Sequence, residues 1–112
     1  MKHKIVLVPF PFDDFTGVKV RPVVCLTNRI TGYNHIVIAF VTSQISKAVE
    51  PSDLLIKNTD PNFKVTGFKV SSAVRLHRLV TIPTKIIRRQ LGDLPSDYHA
   101  DLESKLKTLF GL

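Results

Sequence analysis

The stretch IVLVPFPFDDFTGVKVRPVV at residues 5–24 constrains the fold of this chain more than any other. Two short apolar segments, both rich in β-branched residues, lie on either side of a polar loop. Segments this short do not make stable helices, so the pattern predicts two β-strands, over residues 5–10 and 23–27. Because proline cannot donate to a hydrogen-bond ladder, we expect strand pairing to lapse at Pro9 and Pro11.

The loop between these two strands combines turn-forming residues with basic ones. Asp13, Asp14 and Gly17 favour a turn, and ordering the loop is the role we assign to them. Lys19 and Arg21 follow at the point where the chain re-enters the sheet. The loop therefore brings positive charge to the mouth of the second strand.

The rest of the chain continues to alternate short apolar segments with turns. Further strands are predicted over residues 35–42, 53–56 and 72–82, and the turn at residues 31–34 predicts a hairpin between the second and third strands. Three segments give weaker signals: a helical turn over residues 45–47, a hairpin loop over 57–70 with weak strand character at 68–70, and one or two helical turns over 84–90 that end at Gly92.

The fifth predicted strand alternates clearly along its first half. Val74 and Leu76 are expected on one face, and Arg75 and His77 on the other. Two adjacent apolar residues at positions 79–80 break this alternation. They indicate a bulge, or a strand that is buried on both faces there.

A helix is predicted at the C-terminal end of the chain. Ser96 is a suitable N-cap, and Gly111 marks the end of the helix. An apolar stripe at helical spacing runs along it, formed by Tyr98, Leu102, Leu106 and Leu109. Several short strands followed by one amphipathic helix predict a mainly β fold of the α+β class: a small twisted barrel of about five to seven strands packed by a C-terminal α-helix.

The composition is that of one folded domain spanning residues 1–112. The hydrophobic fraction is 44% and the mean hydropathy is +0.12, as expected for a globule with its own core. The single cysteine, Cys25, lies within a predicted strand, so we expect a buried, reduced thiol and not a nucleophile. The chain shows neither a membrane-spanning apolar run nor a signal-peptide pattern, so no membrane association and a cytoplasmic location are expected.

The formal net charge of +7 is unevenly distributed. No Asp or Glu occurs between Asp60 and Asp93, whereas this segment holds the basic residues Lys64, Lys69, Arg75, Arg78, Lys85, Arg88 and Arg89. Such a bias attracts polyanions and speeds their capture. A solvated basic face without a partner is the alternative, but a segment this one-sided favours nucleic acid or an acidic protein partner.

The usual signatures of catalytic and cofactor sites are absent from the sequence. It contains no GxGxxG, P-loop, CxxC, HExxH or GxSxG motif, and its four histidines lack the spacing of metal ligands. We therefore expect neither a metal ion nor an organic cofactor.

Arg21, Thr42 and the basic segment remain as carriers of chemistry. An arginine at a strand mouth can bind a phosphate in fork geometry and stabilise a pentacoordinate transition state. A hydroxyl from Thr42 or Ser43 can donate to another phosphoryl oxygen. RNA carries its own nucleophile, the 2′-hydroxyl, so positioning and charge stabilisation are enough to cleave it. The residues alone also fit a simpler interpretation, with Arg21 capping a loop and Thr42 satisfying a backbone group at a strand end.

The order of these features resembles the MazF/PemK family of toxin endoribonucleases. The shared pattern is an apolar strand, Phe-Pro, an acidic loop, a glycine, a basic residue and Arg-Pro-Val-Val, followed by AFVTSQI, SSAVRLHRLVTI and a C-terminal helix that closes on LFGL. The resemblance covers essentially the whole chain. It implies an SH3-like barrel with a C-terminal helix, usually a homodimer, which acts as the toxin of a type II toxin–antitoxin pair.

The resemblance also implies a site and a reaction. Arg21 matches the family's catalytic arginine, which is associated with proton transfer and with holding the scissile phosphate, and Thr42 matches the second catalytic residue. Ser43 and Gln44 follow where the family has further active-site groups. The implied reaction is metal-independent, sequence-selective cleavage of single-stranded RNA by 2′-hydroxyl attack, which leaves a 2′,3′-cyclic phosphate and a 5′-hydroxyl. An acidic segment of the cognate antitoxin would occupy the same basic groove.

Other polar residues are candidates for binding the substrate. Lys19, Lys69 and Arg75 are candidates for phosphate contacts. His77 could act as a general acid or base, although an ordinary outward-facing strand histidine is the preferred interpretation. His77 and Arg78 stand where many family members have other polar residues, so both are included among the candidate substrate-binding residues.

Two other functions are compatible with these features. A toxin of the same fold can act without catalysis by binding a protein such as DNA gyrase, but such a protein does not need the matched Arg21 and Thr42. A nucleic-acid-binding module without catalysis would bind RNA in a salt-sensitive manner and release no products.

Overall fold

The structure, a computed structural model, describes residues 1–10, 19–30, 32 and 34–112. These residues form a six-stranded antiparallel sheet, curled into a half-barrel, and a C-terminal helix. The strands are β1 (Lys4–Phe10), β2 (Lys19–Cys25), β3 (His35–Thr42), β4 (Asp53–Ile56), β5 (Ser72–Pro83) and β6 (Arg89–Asp93), and the α-helices are α1 (Phe63–Thr66) and α2 (His99–Phe110). Short 3-10 turns cover Ile45–Lys47, Thr84–Ile86 and Ser96–Tyr98. The strand order is β4-β5-β3-β2-β1-β6, so the predicted fold class is confirmed.

The β1–β2 pair is longer than the sequence predicts. β2 begins at Lys19, and its first residues pair with the end of β1, with Val8 opposite Arg21 and Pro9 opposite Val20. The expectation that pairing lapses at Pro9 is therefore wrong. Proline is tolerated here because β6 pairs with β1 only as far as Leu7. No strand therefore needs a backbone N–H from Pro9 on the β6 side of β1.

Some predictions fall on residues that the structure does not describe. The turn assigned to Asp13, Asp14 and Gly17, and the pairing expected to lapse at Pro11, lie outside the described ranges. Positions 31 and 33 of the turn before β3 lie outside them too. The hairpin itself is confirmed, since β2 and β3 pair in antiparallel fashion, with Val24 opposite Ala39.

Two segments differ in type from their predictions. Residues 84–90, predicted as helical turns, contain one 3-10 turn and then enter β6, so Gly92 lies inside a strand and ends no helix. Residues 68–70, predicted to have strand character, follow the single-turn helix α1 instead. Long-range contacts explain both differences, because β6 forms by pairing with β1 and α1 packs against β6.

The sheet buries apolar side chains on both faces, which explains why β1 and β3 read as nearly continuous apolar runs. One face packs against α2 and the segment after α1, and its buried residues are Ile5, Val24, Leu26, Ala39, Leu54, Ile56, Phe68, Val74, Leu76, Leu94 and Leu102. The other face buries Val6, Val8, Val23, Cys25, Ile36, Ile38 and Ile82. Cys25 is buried, as predicted, and burial raises the pKa of its thiol to about 11.

β5 follows the predicted alternation and contains an irregularity near the predicted place. Val74 and Leu76 are fully buried, whereas His77 is exposed. The register shifts in the pairing of β3 with β5: Ala39 pairs with Leu79, whereas Phe40 pairs with Arg75. The extra residues lie at positions 76–78, just before the pair at 79–80 that indicated a bulge.

The helix α2 begins later than predicted. The 3-10 turn Ser96–Tyr98 precedes it, and Ser96 makes no capping hydrogen bond, so the predicted N-cap is wrong. Leu102 is buried and Leu106 packs beside it, as the apolar stripe predicts, and Gly111 ends the helix in the left-handed conformation. Within the described ranges, neither helix has the length and apolar character needed to cross a bilayer.

Two stacked histidine rings join the N-terminus to the start of α2. The ring centroids of His3 and His99 are 3.7 Å apart with an interplanar angle of 20°. Backbone bonds fasten the same junction, because His3 N donates to Cys25 O and Leu94 N donates to His3 O. Burial, followed by the positive charges of His99 and Lys2, lowers the pKa of His3 below its usual value of 6.5.

This arrangement predicts a loss of stability in mild acid. Because the pKa of His3 is lowered in the folded state, the unfolded chain takes up the proton first as pH falls through 6.5, and folding stability declines there. We expect the melting temperature to fall more between about pH 8 and about pH 5 in the wild type than in His3→Asn, since asparagine tolerates the left-handed backbone at this position (φ +74°). Parallel melting curves with the same fall for both proteins would contradict the prediction.

Candidate functional site

A depression of about 450 Å³ opens at the rim of the sheet, where the starts of β2 and β6 meet the end of β3. We call it the rim pocket. Its walls are Leu7, Val20, Arg21, Pro22, Val41, Thr42, Ser43, Gln44, Gly67, Phe68, Lys69, Val70, Ser72, Arg89 and Leu91. The two residues matched to the family's catalytic pair, Arg21 and Thr42, thus line one cavity, together with the predicted neighbours Ser43, Gln44 and Lys69.

Sheet register brings Arg21 and Thr42 to the same place. β2 and β3 pair with Val23 opposite Phe40, and the antiparallel register continued by two residues places Arg21 beside Thr42. Arg21 is exposed, and Thr42 is partly buried at the last position of its strand. A long cationic side chain and a fixed hydroxyl therefore reach the pocket from neighbouring strands.

The Thr42 hydroxyl is oriented by the turn that follows β3. Its Oγ1 accepts a hydrogen bond from the backbone N–H of Gln44 at 3.1 Å. This contact uses a lone pair of the oxygen, and within the described part of the chain the hydroxyl donates no hydrogen bond. The hydroxyl can therefore donate to an oxygen of a bound ligand.

The opposite wall of the rim pocket is fixed by α1. Thr66 is fully buried; its Oγ1 donates to Phe63 O at 2.7 Å and accepts from Phe68 N at 3.0 Å. Gly67 ends α1 in the left-handed conformation, with φ at +76°. These bonds turn the chain so that Phe68 and Lys69 face the cavity.

The rim pocket is strongly cationic. Arg21, Lys69 and Arg89 line it, and no Asp or Glu is found among the lining residues that the structure describes. All three side chains are exposed, and within the described ranges none of them forms an ion pair. The pocket therefore offers unneutralised charge to an anionic ligand.

Arg89 is a charged residue of the rim pocket that was not among the candidates predicted from the sequence. It opens β6 and pairs with Leu7 of β1, so it reaches the pocket from the strand on the far side of β1 from Arg21. The signal for Arg89 was the acid-free basic segment to which it belongs. Its place could not be inferred, because the same residues were predicted as helical turns.

The structure does not bring the other candidates into the rim pocket. Lys19 lies at the start of β2 outside the lining, and Arg75, His77 and Arg78 lie on β5. His77 Nδ1 and Ser52 Oγ are 2.7 Å apart and hydrogen-bonded, while the Arg78 guanidinium stacks over the Phe40 ring at 5.3 Å from its centroid. Substrate contacts by these residues stay predictions.

Arg75 forms an internal ion pair. Its Nε donates to Asp53 Oδ1 at 3.0 Å, and only 2% of the Asp53 side chain is exposed. The other carboxylate oxygen of Asp53 accepts from the backbone N–H of Glu50 at 3.0 Å. Arg75 thus neutralises a buried carboxylate at the β4–β5 edge.

We expect Arg75→Ala to destabilise the fold by roughly 3 kcal/mol, near the lower end for breaking a buried pair, because it leaves the Asp53 charge buried and unpaired. Urea unfolding measures the change. Lys107→Ala is the matched control, since its pair with Glu103 is exposed on both sides (61% and 69%) and contributes at most about 1 kcal/mol. Equal losses for the two variants would contradict this assignment of Arg75.

A larger groove of about 540 Å³ lies elsewhere, between α2 and residues 50–52. Its lining includes the acidic side chains of Glu50 and Asp101 beside Lys105. Mixed charge suits a polyanion less well than the rim pocket does, where the charged residues that the structure describes are all basic. The rim pocket is therefore the better candidate for an anionic substrate.

Comparisons with known proteins identify the family of this chain. The sequence matches the family described as PemK-like, MazF-like toxin of type II toxin–antitoxin systems over residues 2–110. No curated protein matches the chain.

Similar solved structures share the fold. The Mycobacterium tuberculosis toxin MazF-mt6 superimposes with a TM-score of 0.75 at 21% identity, covering 97% of each chain. A MazE–MazF structure from Deinococcus radiodurans gives 0.72 at 22% identity, covering 98% of this chain and 94% of that one. A mycobacterial endoribonuclease in complex with its cognate antitoxin gives 0.75 at 14% identity, covering 100% and 95%.

The family match spans nearly the whole chain, and the fold agrees with it. This chain therefore belongs to the PemK-like, MazF-like toxins of type II toxin–antitoxin systems.

Proposed function

We propose that this toxin is a metal-independent, sequence-selective endoribonuclease that cleaves single-stranded RNA in the rim pocket. The observation that carries the proposal is that Arg21, Thr42 and Lys69 line one cavity, together with Arg89. A scissile phosphate in that cavity would meet positive charge and a hydroxyl donor. Membership of a family generally made up of endoribonucleases supports the same reaction.

The proposed reaction uses the substrate's own nucleophile. The ribose 2′-hydroxyl loses its proton and attacks the adjacent phosphorus, the bond from phosphorus to the 5′-oxygen breaks, and that oxygen takes up a proton. The products are a 2′,3′-cyclic phosphate and a 5′-hydroxyl. The side chain of Arg21 holds the phosphate in fork geometry, and Thr42 donates to a phosphoryl oxygen, so both stabilise the charge that grows in the transition state.

Partners follow from the same pocket. We propose that an acidic segment of a cognate antitoxin covers the rim pocket and blocks RNA, as charge complementarity suggests. Structures similar to this chain include a MazE–MazF complex and an endoribonuclease with its cognate antitoxin. We also propose that the toxin is a homodimer, since two-fold dimers are the commonest assemblies, and that it acts in the cytoplasm.

The test is incubation of the purified protein with a long single-stranded RNA in the presence of a chelator, followed by mapping of the new ends. Discrete cuts with 5′-hydroxyl ends would support the proposal and reveal the recognised motif. Intact RNA together with capture of DNA gyrase would favour a toxin that acts by binding a protein. Salt-sensitive RNA binding without products would indicate a binding module.

A further inference from the structure

A second basic depression lies next to the rim pocket. It has a volume of about 490 Å³, and the described residues that line it are Pro9, Lys85, Ile86, Ile87 and Arg88, two of them basic and none acidic. Arg89, the next residue along the chain, lines the rim pocket. Lys85, Arg88 and Arg89 therefore form a row of cations that leads from one depression into the other, and we call it the cation row.

The backbone places the two depressions side by side. Arg88 N donates to Leu7 O at 2.8 Å, and Arg89 pairs with Leu7 in the β1–β6 ladder. Leu7 lines the rim pocket and Pro9 lines the second depression. Two strand positions separate them, roughly 7 Å at the rise of a β-strand, which a single-stranded nucleic acid spans with about one nucleotide.

The charges of the cation row are free to act on a ligand. Each of its three side chains is exposed, and none of them forms an ion pair within residues 1–10, 19–30, 32 and 34–112. Ile86 and Ile87 are only partly buried, so they add apolar surface between the cations. A positively charged groove that follows the phosphate backbone is a usual feature of proteins that bind single strands.

On the basis of the proposed function, we infer that RNA leaving the rim pocket crosses the start of β6 and binds Arg88 and Lys85 through the phosphates that flank the cleavage site. RNA fits better than an acidic peptide, because the row continues directly out of the pocket that holds Arg21, and phosphates recur at every nucleotide. These contacts add affinity and carry no sequence information. Arg89 joins the flanking site to the cleavage site.

The test measures the salt dependence of RNA binding without cleavage. The probe is a random-sequence 2′-O-methyl RNA on the order of ten nucleotides, within the span of a small single-strand-binding barrel, and it lacks the attacking hydroxyl. We compare Lys85→Gln/Arg88→Gln with Lys2→Gln/Lys57→Gln, which removes two charges from exposed positions outside both depressions. We expect the slope of log K against log salt to fall by about 1.4 in the first variant only, about 0.7 for each lost phosphate contact.

Two results would overturn the inference: an unchanged slope, or the same loss in the control variant. Weakened binding of a polyglutamate peptide with unchanged RNA binding would also overturn it, by assigning the row to an acidic protein. Cleavage of ordinary RNA by the wild type is measured alongside. Its absence counts against the proposed function, whereas an unchanged slope in a protein that does cleave RNA counts only against the cation row.

Discussion

Replacing Arg21 with alanine is expected to slow RNA cleavage by at least about a hundredfold, as removal of a single charge-stabilising group from an active site commonly does. Arg21 reaches the rim pocket from the start of β2 and is exposed. Its side chain makes no hydrogen bond or ion pair within the described ranges. Its loss should therefore leave the melting temperature nearly unchanged and appear mainly as slower turnover.

Two further variants sharpen this test. Arg21→Lys keeps the charge and loses the planar fork, so we expect an intermediate rate if bidentate contact with the phosphate matters. Arg29→Ala removes an exposed arginine that lies outside the rim pocket, and it should cleave at the wild-type rate. Equal slowing by Arg21→Ala and Arg29→Ala would indicate a general effect of net charge, and full activity of Arg21→Ala would remove this residue from the mechanism.

The sequence was most informative where local pattern and tertiary contacts agree. β3 was predicted with its observed bounds, because HIVIAFVT is β-branched, apolar and followed by a turn, and its burial on both faces of the sheet requires the same residues. The buried positions of Val74 and Leu76 followed from alternation alone. In these segments the backbone needs no distant partner to determine its type.

The prediction failed where a distant strand determines the structure. The composition of TKIIRRQ is compatible with a short helix. Its last residues belong to β6 only because they pair with β1. Because β6 was not predicted, the position of Arg89 opposite Leu7 could not be predicted either. The identification of the catalytic candidates did not depend on predicting β6. Arg21 and Thr42 came from motif order, which needs no placement in space, and the sheet then brought both to one cavity.

Gly92 lies where α1 packs closely against β6, and not at a helix end as the sequence predicted. The sequence suggested a helix stop, but the structure places it within β6, where α1 crosses so closely that no side chain fits. A Cβ at this position would lie 2.3 Å from Val65 O and 2.4 Å from Thr66 O. Both neighbours are backbone atoms, which cannot move aside as the end of a flexible side chain can.

Gly92→Ala is therefore expected to destabilise the protein by roughly 2–3 kcal/mol through overpacking and to lower the melting temperature by roughly 10 °C. Because α1 leads directly into Gly67, Phe68 and Lys69, its displacement should also move one wall of the rim pocket and weaken RNA cleavage well below the melting temperature.

Gly111→Ala is the matched control for this variant. Gly111 has a left-handed backbone (φ +70°) but open space around the added carbon, so alanine there should cost about 1 kcal/mol and leave cleavage unchanged. A Gly92→Ala protein as stable and active as the wild type would show that α1 can withdraw freely from β6. In that case the position of Lys69 in the rim pocket would not depend on the packing of α1 against β6.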